Sequence, residues 1–524
     1  MARWCCFSPT PMCPWAGVCF DAGQHGATQP LTDQKACRMT LDPQDWAATQ
    51  ATGRQMVFDM IDWQAKAHER PTWQPVPVEI KARFSEPVPM AGMPLDALYE
   101  IFLRDILPYP TGNVHPRFWG WVMGTGTPTG MLAEMLAAGM NAHVAGYDQS
   151  AALVEKQVLA WMKALMGYPD QASGLLVSGG TAANLNGLLA ARVAKAGWDI
   201  RELGLHGGPL LTVYGSTETH NWAPKACEIM GLGRQAFRKI RVDNDYRIDV
   251  AACRTAILDD RAAGLRPIAI VANVGTVNTG AIDDVSALRA LADELGLWLH
   301  VDGAFGSMLA WSESRQLVDG QETADSIAFD LHKWGYMPYE VGVILTRDSD
   351  AQLATFRPKA GSAAYLQSAE AGISIETTYF ADRGMQLSRG FRGLKVWMSM
   401  KEQGVERIGA AIQTNLVQAQ YLAERVRAEP LLELLAPVPT NIVCFRYAAP
   451  GMSVATLNAL NQTILTQLQV RGIAVPSQTL LNQCFAIRVC ITNHRSTLPD
   501  FDILVDAVLE IGSSVCRVSA TAST

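Results

Sequence analysis

The sequence predicts an α/β fold, with a mostly parallel sheet covered by helices. A smaller C-terminal α+β domain follows it, and an N-terminal helical arm precedes it. Three observations carry this expectation. From about residue 120, short β-rich runs alternate with helical ones. The residues with chemical potential fall just after those β-rich runs. Beyond a long helical stretch ending near residue 430, shorter strands and helices take over.

Taken in order, residues 1–38 hold five of the eleven cysteines, Cys5, Cys6, Cys13, Cys19 and Cys37. They contain no C-x-x-C pair and one histidine, His25, which makes zinc ligation a poor reading. We expect a disordered extension there, or a reading frame whose effective start is Met39, and no metal site. Residues 39 to about 70 read as an amphipathic helix. The proline-rich connector "RPTWQPVPVEIKARFSEPVPMAGMP" then runs extended over a surface. The arm is taken as 39–115, the large domain as 116–395 and the small domain as 396–524.

In the large domain "GLLVSGG" leads into "TAANLNGLLAARVAKAG", and "LLTVYGS" into "HNWAPKACEIMG". "PIAIVANVG", "LWLHVDG", "DSIAFDLHK" and "VGVILTRD" follow, with a helical run after the first of them. Such alternation implies a parallel sheet whose ligand lies beyond the C-terminal strand ends. In the small domain "NIVCFRYA" and "AIRVCITN" are the expected strands.

Composition narrows the function. The chain has 524 residues, 49% hydrophobic and 18% charged, as in ordinary globular proteins. A formal net charge of −7 argues against a nucleic-acid partner. No apolar run is long enough to span a bilayer, and Pro9, Pro11 and Pro14 interrupt any secretory h-region. The scattered thiols fit a reducing cytoplasm.

Four segments carry the chemistry. In "VSGGTAANLNG" a strand ends in Gly179 and Gly180 and a helix begins at once; its free N–H groups suit a phosphate. A plain strand-to-helix turn with Thr181 as N-cap fits these residues equally well. Asp302 in "LWLHVDGAFGS" ends an apolar strand, and a buried carboxylate there requires a positive partner. That partner is an arginine, a helix N-terminus or a protonated ring nitrogen. His220 opens a helix in the same layer and is either structural or stacked on a ring. Lys333 in "DLHKWGYMPYE" follows a strand amid apolar residues; desolvation is expected to lower its pKa and make it a Schiff-base former. Phosphate turn, ring-nitrogen carboxylate, stacking histidine and lysine together describe a site for pyridoxal 5′-phosphate.

On these motifs the chain resembles the group II pyridoxal phosphate-dependent amino acid decarboxylases. Asp330, His332 and Lys333 match the D-x-H-K stretch, and His300 to Ala304 match H-V-D-A-A. Gly179, Gly180 and Thr181 match the Gly-Gly-Thr turn, and His220 the stacking histidine. "HPRFWGW" and "LSRGFRGLKVW", with Arg389 and Arg392, match further segments. Trp222 departs from the family's usual serine, and Gly390 from an arginine often seen there.

The resemblance implies a type I fold with a seven-stranded sheet. It also implies a homodimer with shared active sites, to whose partner subunit the arm packs. Lys333, Tyr365, His220 and Asp302 become the catalytic candidates. Gly180, Thr181, Ala182, Ala183, His220, Thr276, Asp302, Ala304, His332 and Lys333 become the cofactor-binding ones. Trp121, Val122, Met123, Asn141, His143 and Arg389 become the candidate substrate pocket. The implied reaction is α-decarboxylation of an L-amino acid to its amine and carbon dioxide, with Tyr365 on a mobile loop as proton donor. The rivals are an oxidative deaminase making an aldehyde on the same scaffold, and a catalytically silent cofactor-binding homologue.

Overall fold

The computed structural model describes residues 40–358, 372–375 and 379–522. Contacts divide the chain at Arg54 into Met1–Arg54 and Gln55–Thr524. In the first unit a helix opens at Trp46, capped by the Asp45 carboxylate, which accepts the Ala48 N–H at 3.0 Å. The helix runs Trp46–Ala65, and one 3-10 turn follows at Ala67–Glu69. It starts later than expected, because Pro43 disfavours helix before it and Asp45 supplies the cap.

In the main unit, β1 is Phe118–Trp119, β2 Ser173–Val177, β3 Leu211–Ser216 and β4 Phe237–Ile240. Then come β5 Arg266–Asn273, β6 Trp298–Asp302, β7 Ser326–Asp330 and β8 Gly342–Thr346. Seven of these strands form one sheet in the order β2-β8-β7-β6-β5-β3-β4. Only β8 runs against its neighbours. Strands β2, β6, β7 and β8 are buried along their whole length. That is why they read as unbroken apolar runs rather than alternating ones. The edge strand β4, "FRKI", escapes sequence reading because its two central residues are basic, Arg238 partly covered and Lys239 exposed.

The second sheet has five strands in the order β1-β11-β12-β10-β9, adding β9 Leu432–Leu434, β10 Ile442–Tyr447, β11 Val475–Leu481 and β12 Cys484–Cys490. Its first strand comes from far upstream: Phe118 and Trp119 pair in parallel with Val475 and Pro476. The expected large domain from residue 116 therefore begins with a strand of the other sheet. The long helix Gly393–Ala428 also crosses the expected boundary at 395, with a break at Gly404, where φ is 71°. A positive φ suits glycine, and it divides the helix into two parts that meet at a kink. Among the described residues no helix is long and apolar enough to cross a membrane, and all six described cysteines are free.

Candidate active site

Strands β2, β3, β5, β6 and β7 all end at one edge of the large sheet. Register fixes the row: Asn273 pairs with Asp302, and Asp302 with Ala328. Gly180, Thr181, His220, Asp302, Ala304 and Lys333 line one cleft at that edge. Val122 joins them from the loop after β1. That loop lies directly on the backbone of the lysine segment. A Cβ at Gly124 would come within 2.3 Å of the carbonyl oxygens of His332 and Lys333, so no larger residue fits there.

The helix Gly180–Lys195 begins at the cleft with Gly179 as N-cap and no side-chain cap. Its first N–H groups are therefore left for a ligand. Thr181 is not the N-cap; it lines the cleft instead. A Cβ at Gly180 would lie 2.8 Å from the Asp330 carboxylate, so glycine lets strand β7 approach the turn. Ala183 is buried in the same helix, and Ala182 is partly covered.

Lys333 Nζ pairs with Asp330 Oδ2 at 2.9 Å. Desolvation alone lowers an amine's pKa, but here the Asp330 carboxylate outweighs it, with Asp302 adding to the effect. The Lys333 pKa is raised above its ordinary value. The expected lowering is thus corrected: the sequence showed Asp330 three residues back, but not that the turn after β7 brings its carboxylate against the amine. The other Asp330 oxygen, Oδ1, is buried and has no hydrogen-bond partner among the described residues.

Asp302 is buried, and among the described residues no cation forms an ion pair with it. It accepts from the Trp222 indole N–H at 2.5 Å, the Ala304 N–H at 3.1 Å and the Asn184 amide at 3.4 Å. His220 receives the Trp222 backbone N–H on Nδ1 at 3.2 Å, which leaves its proton on Nε2. Burial in the cleft lowers the His220 pKa, so the ring is neutral at pH 7. His332 is buried, takes the Val341 N–H on Nδ1 at 3.1 Å and packs on the Tyr339 ring with centroids 4.5 Å apart. Trp334 points away into the core and donates to Asn415 at 3.0 Å, so it is an anchor and not a wall of the cleft.

Several expected residues lie elsewhere. Thr276 is buried and its hydroxyl holds its own turn, accepting the Ala281 N–H at 3.0 Å; Gly275 and Val277 line the cleft in its place. Trp121 is exposed, and the Met123 carbonyl accepts from Thr492 at 2.9 Å. Neither reaches the cleft. Asn141 ends the helix Pro128–Met140 in the left-handed conformation and is exposed, as is His143.

Arg389 is not a pocket residue. Its guanidinium is fully buried, ion-paired with the equally buried Glu155 and donating to the carbonyls of Val144 at 2.6 Å and Leu176 at 2.7 Å. Arg392 pairs with Glu340 at 2.9 Å. Tyr365 and the N-terminal cysteine cluster lie outside the described residues. Asn184, Asn273, Trp222 and Phe305 line the cleft without having been singled out as ligands. For Asn184 and Trp222 a signal existed: both fall within the first turns of helices opening at strand ends.

The cleft fits pyridoxal phosphate on its own terms. It has a helix N-terminus without a side-chain cap, a buried carboxylate without a cation among the described residues and a lysine amine, all lining one cleft. Comparison with known proteins agrees. Residues 77–448 match the family model described as the pyridoxal-dependent decarboxylase conserved domain. The chain is 33% identical to an aromatic-L-amino-acid decarboxylase of Bacillus atrophaeus, over 85% of this chain and 91% of that one. It is 32% identical to an L-2,4-diaminobutyrate decarboxylase of Rhizobium meliloti (strain 1021), over 81% and 83%. The fold is that of Oryza sativa TDC, solved with PLP and tryptamine, at a TM-score of 0.83 and 24% identity over 91% of this chain and 100% of that one. The chain belongs to the pyridoxal-dependent decarboxylase family and is an amino acid decarboxylase that uses pyridoxal phosphate.

Proposed function

We propose that the cleft around Lys333 is where this decarboxylase works on an L-amino acid, in a homodimer whose two sites are shared. The observation that carries the reading is the Lys333–Asp330 pair at 2.9 Å, opening on the same cleft as Asp302 and His220. Bound there, pyridoxal phosphate supplies an aldehyde carbon that amines add to and a ring that accepts the electrons left by departing carbon dioxide.

The chain's own residues do the rest. The N–H groups at Gly180–Ala182 bind the phosphate through the helix N-terminus. Asp302 holds a proton at the ring nitrogen. His220, neutral and with its proton on Nε2, lines the cleft and would hold the ring from one side. Lys333 needs to shed a proton before its amine can add to a carbonyl; Asp330, paired with it at 2.9 Å, keeps the amine charged and placed at the cleft until then. Tyr365 is the proposed donor of the proton that replaces the carboxylate.

A homodimer is supported by the arm. Phe58, Val78, Phe84, Val88 and Met90 are each more than half exposed, an apolar surface that calls for cover. The exposed Asn141 and His143 are proposed to complete the cleft of the other copy. The six free thiols among the described residues support a reducing, cytoplasmic setting.

The test uses borohydride and a mixed dimer. Borohydride should attach the cofactor to the peptide carrying Lys333, and Lys333→Ala should abolish amine and carbon dioxide release. Attachment elsewhere would refute the assignment; aldehyde and peroxide in place of amine would mark the deaminase chemistry. If sites are shared, Lys333→Ala and His143→Ala subunits, each impaired alone, regain activity when co-assembled. No recovery would leave each site within one subunit.

A further inference from the structure

A row of buried hydrogen bonds runs from Asp302 into the sheet. Beginning at its far end, the Trp298 indole N–H donates to Ser326 Oγ at 2.8 Å. Ser326 Oγ lies 2.7 Å from His300 Nδ1, His300 Nε2 lies 2.7 Å from Asn184 Oδ1, and the Asn184 amide nitrogen faces Asp302 Oδ1 at 3.4 Å. On the other side the Trp222 indole reaches Asp302 Oδ2 at 2.5 Å.

The direction of each bond follows from the residue types. An indole N–H only donates, so Ser326 accepts from Trp298 and turns its own proton to His300 Nδ1. His300 then carries its proton on Nε2, Asn184 accepts it on Oδ1, and the amide N–H groups of Asn184 face the carboxylate. Burial lowers the His300 pKa to about 4, so the ring is neutral and the relay keeps one sense at pH 7. Packing guards the arrangement. A Cβ at Gly187 would come 2.6 Å from His300 Nδ1 and 3.0 Å from Ser326 Oγ, so the helix passes close only because this residue is glycine. The Trp222 ring also stands edge-on to His300, with centroids 5.8 Å apart.

An ionised carboxylate offers about four acceptor positions. Asn184 and the Ala304 N–H take two on Oδ1, and Trp222 takes one on Oδ2. One position on Oδ2 is left, opening on the cleft.

We propose that Trp222, with the Trp298–Ser326–His300–Asn184 relay, positions Asp302 as an ionised acceptor with a single free lone pair, and so keeps the cofactor's ring-nitrogen proton on nitrogen. Trp222 and Asn184 are positioning residues here: they act on the ring through Asp302. Converging donors fix the carboxylate's orientation and fill its other acceptor positions, so the free one is held toward the cleft. Removing one lets Asp302 turn away from the ring nitrogen, which then loses its counter-charge and its proton, and the ring weakens as an electron acceptor. The inference rests on the reading of Asp302 as the ring-nitrogen partner.

The test loads the enzyme with pyridoxal phosphate labelled with 15N at the ring nitrogen and reads its solid-state NMR signal. Trp222→Phe keeps the packing and removes the donor. Its signal should move from the protonated toward the unprotonated pyridine position, and kcat should fall on the order of tenfold, the loss of one charge-assisted bond, with KM little changed. Trp334→Phe, which loses an indole N–H elsewhere in the core, should leave the signal where it is. If Trp222→Phe does not fold, Asn184→Leu removes the other side-chain donor and is read in the same way. A signal moved by Asp302→Ala but not by the folded Trp222 or Asn184 variant overturns this inference alone. A signal that Asp302→Ala leaves unmoved overturns the Asp302 reading, and the inference with it.

Discussion

Asp302 and Glu155 are both buried carboxylates in the same body of the protein, and they are satisfied in opposite ways. Glu155 has a cation, Arg389, locked against it and against two carbonyl groups. Asp302 has only neutral donors and, among the described residues, no ion-pair partner. A buried charge without a counter-charge is costly. The paired carboxylate joins the helix Ser150–Leu165 to the segment before Gly393 and strand β2. The unpaired one faces the cleft. The contrast teaches that burial by itself does not mark a site; burial with an unmet electrostatic need does.

The largest effect that could break this contrast is at Asp302. Asp302→Asn keeps the shape and removes the charge. It should lower kcat/KM on the order of a thousandfold while shifting the unfolding midpoint little, as activity assays and calorimetry on one preparation would show. A large loss of stability with turnover kept in the folded fraction would make Asp302 another Glu155.

Arg389→Met should do the reverse. Leaving Glu155 buried and unpaired costs about 3–5 kcal/mol of stability in chemical denaturation. Turnover per folded molecule should hold. A raised KM at unchanged stability would return Arg389 to the substrate pocket.

The smallest effect concerns Lys333. Its pKa is raised above the ordinary 10.5 by Asp330, so without cofactor the ion pair is complete at neutral pH. Its contribution to stability is fully present below the unfolded value and is lost only as pH rises through the higher folded one. Asp330→Asn removes the carboxylate and lets desolvation dominate. The pH midpoint for cofactor attachment should then move down, as stopped-flow absorbance across roughly pH 6–11 would show. An unmoved midpoint would show that Asp330 does not govern the lysine.

Much of this was legible in the chain. The β-rich runs of the large sheet were readable because both of its faces are covered, and five of them place Gly180, His220, Gly275, Asp302 and Lys333 at one edge. What escaped reading was set by distant partners. β4 hides behind two basic residues, and β1 is a strand only because β11, more than 350 residues later, lies beside it. Thr276 sits at the right strand end, but its hydroxyl is consumed by its own turn. Arg389 stands in a family motif, yet its role follows from Glu155, 234 residues away.

By itself, then, the sequence determined the sheet, the motif order and the identity of the groups that meet at its edge, because strand burial and strand-end chemistry are written locally. Only the tertiary structure decided what each group faces: a carboxylate that raises Lys333, an indole that steadies Asp302, a glutamate that removes Arg389 from the site. The physical reason is that the charge state and direction of a side chain depend on its neighbours in space, and here those neighbours come from other strands and helices.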